Sequence, residues 1–131
     1  MAIARRQVIA RLIAVAAGLP VHAMAQSPRS VELLMFEEPG CPWCARWRQE
    51  IGPAYPKSPE GRRAPVRHIM IHEQHKADIA LSTPITVSPT FVLSDGRQEI
   101  GRISGYPGPD FFWSMLAELI AKLDRPGAPK S

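Results

Sequence analysis

The segment EEPGCPWCARW at 37–47 holds both cysteines of the 131-residue chain. Cys41 and Cys44 are separated by two residues and follow a short apolar run, VELLMF at 31–36. A nearly continuous apolar run of this length is typical of a strand that is covered on both faces. Two cysteines at this spacing occur in structural disulfides, metal sites, haem attachment sites and redox-active disulfides.

The residues after the first cysteine have the pattern of a helix. Trp43, Trp47 and Ile51 recur at four-residue spacing with polar residues between them. Pro42 fits the first helical position, because the N–H group that proline lacks would have no partner there. A Gly-Pro pair then ends the helix. We therefore predict a helix over 42–51 that starts at the first cysteine.

The first 25 residues have the layout of a secretory signal peptide. Three arginines precede an apolar run at 12–19, and Ala23-Met24-Ala25 forms a cleavage pattern. The run is too short to span a bilayer, which needs about 20 apolar residues. We expect cleavage after Ala25 and export to the periplasm, by the general secretory route or, since Arg5-Arg6 also fits it, by the twin-arginine route.

Removal of the signal peptide changes the charge of the chain. The full sequence has 16 Lys and Arg against 12 Asp and Glu, but three of the arginines belong to the signal. The exported chain therefore has 13 basic residues against 12 acidic ones, which gives no basis for nucleic-acid binding. Its length predicts a single domain over 26–131.

The middle of the chain contains one more strand and a long polar stretch. VRHIMI at 66–71 has the composition of a strand, and the segment between 52 and 65 reads as a loop with at most a short helix. Residues 72–86 are polar, with a weak helical pattern at 76–81.

The last third predicts a hairpin and a helix. Two strand-like runs, at 90–93 and 98–104, flank an Asp-Gly pair that is a strong hairpin signal. Apolar residues then recur at helical spacing from Phe112 to Leu123, with Gly108 or Asp110 as the candidate cap. The order of these elements predicts an α/β fold with a central mixed sheet flanked by helices.

Three uses of the cysteine pair lack supporting residues. A haem attachment site needs histidine directly after the second cysteine, where the chain has Ala45. Zinc needs about four ligands; His68, His72 and His75 could complete a set, but the last two fall beyond the predicted strand, so we expect no metal site. A purely structural disulfide across so few residues closes the kind of loop that stabilises least.

Redox activity uses every local feature. Thiol exchange requires a thiolate, and a helix N-terminus favours an anion through its unpaired N–H groups and its dipole. Cys41 lies at that position, so we expect a lowered pKa and predict that it attacks a substrate disulfide. Cys44 lies one turn later, further from solvent, and is predicted to resolve the mixed disulfide. An oxidising compartment suits this chemistry.

Beyond these residues, the chain resembles the thioredoxin superfamily. VELLMF runs into CPWC at a helix start, VSPTFV follows at 87–92, and a hairpin leads through Gly105 to a C-terminal helix. The resemblance implies a thioredoxin-like fold over 26–131 with a cis-proline, Pro89, next to the cysteines. It also implies that the backbone of Ser88 pairs with the bound substrate.

Within the superfamily, three stretches at 37–67, 88–93 and 101–116 are similar to the periplasmic thioredoxins of the bacterial sulfur-oxidation (Sox) system. This similarity implies a reductant that keeps the sulfur-carrier complex active by breaking disulfides on its carrier cysteine. Electrons would come from a membrane thiol transporter of the CcdA/DsbD type. Pro42 and Trp43 would contact the substrate, and the Cys41–Cys44 disulfide would serve without a separate cofactor.

The sequence departs from standard thioredoxins at two places. Gly40 stands where they have tryptophan, and the pair inside the motif is Pro-Trp in place of Gly-Pro. Met35, six residues before the first cysteine, occupies the position of their buried aspartate, which accepts the second cysteine's proton. Glu37, Glu38 or water are the candidates to replace it, although two carboxylates at a strand end are more often solvated charges.

Two other functions remain open from the sequence. The direction of exchange depends on the reduction potential, which spans about −270 to −120 mV among such proteins, so a thiol oxidase or isomerase of the Dsb type is an alternative. A copper or haem-maturation metallochaperone is another, because soft thiolates suit Cu(I).

Overall fold

The computed structural model describes residues 17–18 and 30–125. The predicted cleavage site and nearly all of the predicted signal peptide at 1–25 therefore lie outside the described residues, and they stay predictions. None of the helices in the described part is both long and apolar enough to cross a membrane.

The described chain contains strands, α-helices and short 3-10 helices. The strands are β1 (Val31–Glu37), β2 (Val66–Met70), β3 (Thr90–Asp95) and β4 (Gln98–Ser104). The α-helices are α1 (Pro42–Glu50), α2 (Pro59–Arg63) and α3 (Pro109–Leu123). The 3-10 helices are Tyr55–Lys57 and Ile71–Ala77.

The four strands form one mixed sheet in the order β2-β1-β3-β4. β1 pairs in parallel with β2, where Leu33 lies opposite Val66, and antiparallel with β3, where Leu33 lies opposite Leu93. β4 completes the hairpin with β3 through a two-residue turn. The predicted α/β fold with a mixed sheet and flanking helices is confirmed.

Apolar residues cover both faces of β1, which explains its continuous hydrophobic sequence. Alternate residues of the strand point to opposite sides of the sheet. One face packs under α1 and α3, with a core that includes Leu33, Met35, Trp47, Phe91, Phe112 and Leu116. The other face has a smaller core of Leu34, Phe36, Ala77, Ile85 and Val92.

Trp47 fixes α1 over the sheet. Its side chain is almost fully buried, and its ring centroid lies 5.6 Å from that of Phe91 on β3 and 5.9 Å from that of Phe112 on α3. Aromatic pairs at such separations add to the stabilisation from burial. One tryptophan of the predicted helical stripe therefore holds the helix that carries both cysteines.

One local prediction needs correction. The helical pattern at 76–81 is wrong: the structure has a 3-10 helix over Ile71–Ala77, which ends where Asp78 adopts a left-handed conformation with φ 56°. Aspartate tolerates that conformation better than most residues, and Ala80 then forms a bridge to Gln98 at the start of β4. Of the two predicted cap candidates for α3, Gly108, with φ 95°, is the N-cap, and Asp110 lies in the first turn.

Candidate active site around the Cys41–Cys44 disulfide

The chain turns sharply between the end of β1 and the start of α1. Gly40 has φ 72°, a conformation that glycine adopts without steric cost, and the Cys41 N–H donates a hydrogen bond to the Glu38 carbonyl at 3.3 Å. Cys41 is the N-cap of α1, and Pro42 occupies the first turn. The structure thus places the first cysteine where the helical pattern predicts it.

The Cys41 sulfur takes the place of a capping oxygen. It accepts a hydrogen bond from the Cys44 backbone N–H at 3.2 Å. A backbone donor and the positive end of the helix dipole both favour negative charge on this atom. Once the disulfide is reduced, this geometry favours a thiolate at Cys41.

The two cysteines are linked by a disulfide and differ in their exposure. Their Cα atoms lie 5.3 Å apart. Cys41 is partly exposed, whereas Cys44 is only 1% exposed and belongs to the core under α1 and α3. An external thiol or disulfide can therefore approach the first sulfur far more easily than the second.

The segment before β3 lies against the disulfide. The Ser88–Pro89 peptide bond is cis, as the resemblance implies, and Pro89 is buried. The Gly105 N–H donates to the Pro89 carbonyl at 2.7 Å, so the segment is held from the β4 side as well. Pro89 follows Cys41 by 48 residues in the sequence. The pairing of β1 with β3 brings the Ser88–Pro89 segment to the cysteine motif.

Ser88 contacts the cysteine motif through its side chain. Its Oγ lies 3.4 Å from the Cys44 sulfur and accepts a hydrogen bond from the Glu38 backbone N–H at 3.0 Å. The sequence implied a role for the Ser88 backbone only. Nothing in the local sequence signals the side-chain contact, because 44 residues separate the two partners.

Two exposed apolar side chains belong to the segments that carry the disulfide and Ser88. Trp43 is 51% exposed and Val87, directly before Ser88, is 44% exposed. The Arg46 guanidinium lies 5.7 Å from the centroid of the Trp43 ring, a cation–π distance. We call Trp43 and Val87 the apolar rim, because Trp43 lies inside the cysteine motif and Val87 directly precedes Ser88.

Arg46 is anchored by a polar chain that leads into the core. Its Nε donates to Glu50 at 2.6 Å, and the Tyr106 hydroxyl donates to the other Glu50 oxygen at 2.7 Å. The hydrogen bonds from Tyr106 and Arg46 hold the pKa of Glu50 below its usual range. Burial and the bond to Glu50 raise the pKa of Tyr106. The arginine next to the rim is therefore part of a charge-compensated chain.

The comparison with solved structures decides the family. Over 72% of this chain and 99% of the other, the protein is 51% identical to the periplasmic thioredoxin SoxS from Paracoccus pantotrophus, solved in its reduced form, with a TM-score of 0.69. The chain belongs to the thioredoxin superfamily. No protein-family model and no curated protein sequence matches the chain.

More distant thioredoxins share the fold. Thioredoxin from Fasciola hepatica is 19% identical, over 67% of this chain and 79% of that one, with a TM-score of 0.52. Thioredoxin f2 from Chlamydomonas reinhardtii is 16% identical, over 77% of this chain and 85% of that one, with the same TM-score. The family and the cysteine pair together make this thioredoxin-like protein a thiol-disulfide oxidoreductase.

Glu37, the last residue of β1, is not a solvated charge. Glu37 is only 2% exposed, so that expectation is wrong for Glu37, although it holds for the exposed Glu38. One Glu37 oxygen pairs with Arg48 of α1, and the other lies 2.7 Å from Nδ1 of His68 on β2. The ion pair with Arg48 and the contact with His68 explain why a carboxylate can be buried at the end of a central strand.

Met35 itself is fully buried beside the other apolar residues of the core. A thioether cannot take up a proton, so the position offers packing in place of acid-base chemistry. Both oxygens of Glu37, on the same side of the strand, are already held by Arg48 and His68.

The histidines do not gather around the cysteines. His68 pairs with Glu37, and His72 and His75 are exposed on the 3-10 helix after β2. Within residues 17–18 and 30–125, no group of three or more His, Cys, Asp or Glu side chains could hold a metal ion.

Proposed function

We propose that the protein is a periplasmic thioredoxin that reduces disulfides on a protein partner of bacterial sulfur oxidation. The observation that carries the proposal is the unequal exposure of the cysteines, with Cys41 accessible at the start of α1 and Cys44 buried one turn behind it. The 51% identity to the periplasmic thioredoxin SoxS supports the cellular setting. The predicted signal peptide at 1–25 supports export to the periplasm.

Reduction proceeds in two exchanges. The Cys41 thiolate attacks a disulfide of the partner, which releases one partner sulfur as a thiolate and leaves a mixed disulfide on Cys41. The Cys44 thiolate then attacks the Cys41 sulfur, forms the intramolecular disulfide and releases the second partner sulfur. The two electrons of the dithiol thereby pass to the partner, whose two thiolates take up protons from solvent.

The apolar rim and the cis-proline segment form the substrate-binding surface. Trp43 and Pro42 are exposed beside Cys41, so they contact the residues that flank a substrate cysteine. Ser88 contacts Cys44 and precedes the cis bond to Pro89. In this proposal the Ser88 backbone pairs with the bound chain and Pro89 lies beside it. The partner in this proposal is the sulfur-carrier complex of the Sox system.

The oxidised protein must be reduced again for each cycle. A membrane thiol transporter of the CcdA/DsbD type supplies the electrons by the same exchange chemistry, run from its own dithiol to the Cys41–Cys44 disulfide. The cycle uses this disulfide without a separate cofactor.

Trapping the mixed disulfide tests the proposal. The variant Cys44→Ser is expressed with its signal peptide in cells grown on reduced sulfur compounds. It should accumulate a disulfide-linked complex with a sulfur-carrier protein, and dithiothreitol should cleave that complex. The matched control Cys41→Ser should capture nothing. Recovery of partners unrelated to sulfur oxidation, or of no partner, would refute the assignment.

A redox titration against glutathione tests the direction. A reductant has a potential towards the thioredoxin end of the range, about −270 mV, whereas a potential near −120 mV would identify an oxidant of the Dsb type.

A further inference from the structure

The Ser88 side chain connects two parts of the active site. Its Oγ lies 3.0 Å from the Glu38 backbone nitrogen and 3.4 Å from the Cys44 sulfur. A backbone N–H can only donate, so the Ser88 oxygen is the acceptor in the first contact. The single hydroxyl hydrogen is then free for the second contact and can point at the sulfur.

Cys44 needs such a donor when it ionises. The sulfur is buried, and a buried anion is costly unless hydrogen bonds compensate for the lost water. The N–H of Cys44 itself is directed at the Cys41 sulfur, so the capping donor serves the other cysteine. Met35 in the neighbouring core has no proton to donate.

We propose that the Ser88 hydroxyl donates a hydrogen bond to the Cys44 thiolate and orients it towards the Cys41 sulfur in the second exchange. This role rests on the proposed order of attack, in which Cys44 resolves the mixed disulfide. In that step the Cys44–Cys41 bond forms as the bond between Cys41 and the partner breaks, and the partner leaves as a thiolate. Ser88 keeps its proton throughout, so it stabilises the nucleophile without acting as a base.

The Glu38 N–H gives the hydroxyl its direction. A serine hydroxyl otherwise rotates among several partners, but the bond from Glu38 occupies one side of the oxygen. The turn between β1 and α1 therefore orients the donor that faces the second cysteine. This role does not require a carboxylate as proton acceptor. The Ser88 hydroxyl stabilises the Cys44 thiolate, and solvent can accept the proton that the Cys44 thiol loses.

A purely structural role is the competing explanation, because the same side chain joins the turn before α1 to the cis-proline segment. The two explanations differ in what they do to the reaction steps. A donor to Cys44 acts on the second exchange more than on the first. A structural link, when removed, disturbs Cys41 and Cys44 together.

Step-resolved kinetics test the donor with Ser88→Ala and the hydroxyl-retaining control Ser88→Thr. The reduced proteins are mixed with 5,5′-dithiobis(2-nitrobenzoate), and release of the two thionitrobenzoate ions is followed by stopped flow across pH. Ser88→Ala should slow the second release roughly tenfold at neutral pH, the size expected for a lost hydrogen bond to a charged group, and shift its pH midpoint upward. The first release, which Cys41 carries out, should be affected less than the second, and Ser88→Thr should restore the second release because it keeps the hydroxyl.

A second measurement isolates Cys44 and does not depend on turnover. In a Cys41→Ser background, thiolate absorbance is titrated with and without Ser88→Ala, and the variant should need a higher pH to ionise Cys44. Equal titration curves, or equal slowing of both releases, would overturn the proposal. Failure of Cys44→Ser to trap a partner would instead count against the proposed function, because neither Ser88 measurement uses a protein partner.

Discussion

Nδ1 of His68 lies 2.7 Å from Oε2 of Glu37, which places a 2% exposed carboxylate between β1 and β2. Arg48 reaches the other oxygen from α1, so one buried anion connects three elements around the active-site helix. The partner side chains are about half exposed, 50% for Arg48 and 43% for His68. Each can be solvated if the carboxylate is lost, which limits the cost of losing it.

Glu37→Gln should therefore destabilise the protein by about 1–2 kcal/mol, less than the cost of stranding a fully buried cation. Urea unfolding monitored by tryptophan fluorescence measures the change. The matched control is Glu38→Gln, one residue on and exposed, which should change the unfolding free energy by no more than about 0.5 kcal/mol. Equal effects of the two variants would mean that the buried pairing contributes nothing.

The same variant separates stability from chemistry. Because the Glu37 oxygens are held by Arg48 and His68, the rate of mixed-disulfide resolution per folded molecule should stay within about twofold of the wild type across about pH 6 to 8. Slower resolution in Glu37→Gln but not in Glu38→Gln would identify Glu37 as the proton acceptor that replaces the acid absent at Met35.

The buried hydroxyl of Tyr55 should make the stability of the protein depend on pH in the alkaline range. This hydroxyl donates to the Ala64 carbonyl at 2.6 Å inside the core, and burial, followed by repulsion from Glu60, raises its pKa. The unfolded phenol ionises near about pH 10 while the folded one stays neutral, so the wild type should lose stability as pH rises above about 10. Tyr55→Phe should cost about 1 kcal/mol at neutral pH and flatten the alkaline loss.

Urea midpoints of the wild type and Tyr55→Phe at neutral and alkaline pH measure this effect. The gap between the two proteins should narrow at the higher pH. If both proteins lost stability in parallel as the pH rises, Tyr55 would not be the group that controls the loss of stability at alkaline pH.

The exposure of the two sulfurs predicts their reactivity. In the reduced native protein, limiting iodoacetamide should label Cys41 first, because the sulfur of Cys44 is buried and alkylation requires an accessible thiolate. Peptide mass spectrometry should find Cys44 labelled about tenfold more slowly. In denaturant the two should react alike, and preferential labelling of Cys44 in the native protein would reverse the assigned order of attack.

The elements that position the cysteines could be predicted from the sequence because their signals are local. VELLMF predicts β1 through its apolar continuity, and the Trp43 to Ile51 spacing predicts α1 to within one residue of its end at Glu50. The hairpin follows from its Asp-Gly pair, and β3 and β4 start at the predicted residues, Thr90 and Gln98.

The missed features all depend on contacts between distant residues. Glu37 looks like a solvated charge until β2 and α1 bring His68 and Arg48 to it. The polar stretch after β2 carries a weak helical pattern, yet the chain ends its 3-10 helix at Ala77 and pairs Ala80 with Gln98 instead. Tertiary contacts bury a carboxylate in the first case and override weak helical propensity in the second.

Trp43 should control recognition of protein substrates more than the chemistry of exchange. It is half exposed in the cysteine motif, with the Arg46 guanidinium over its ring, so it presents an aromatic surface where we propose that a partner docks. Trp43→Ala should lower kcat/KM for a protein disulfide such as insulin about fivefold, the effect of roughly 1 kcal/mol of lost contact. The rate with a small disulfide should hardly change, since the Cys41 cap does not involve the indole ring. The control is Phe111→Ala on α3, where a more exposed aromatic lies outside the rim and its removal should leave both rates unchanged. Equal losses for the small and the protein disulfide would show instead that Trp43 acts on the reactivity of the cysteines.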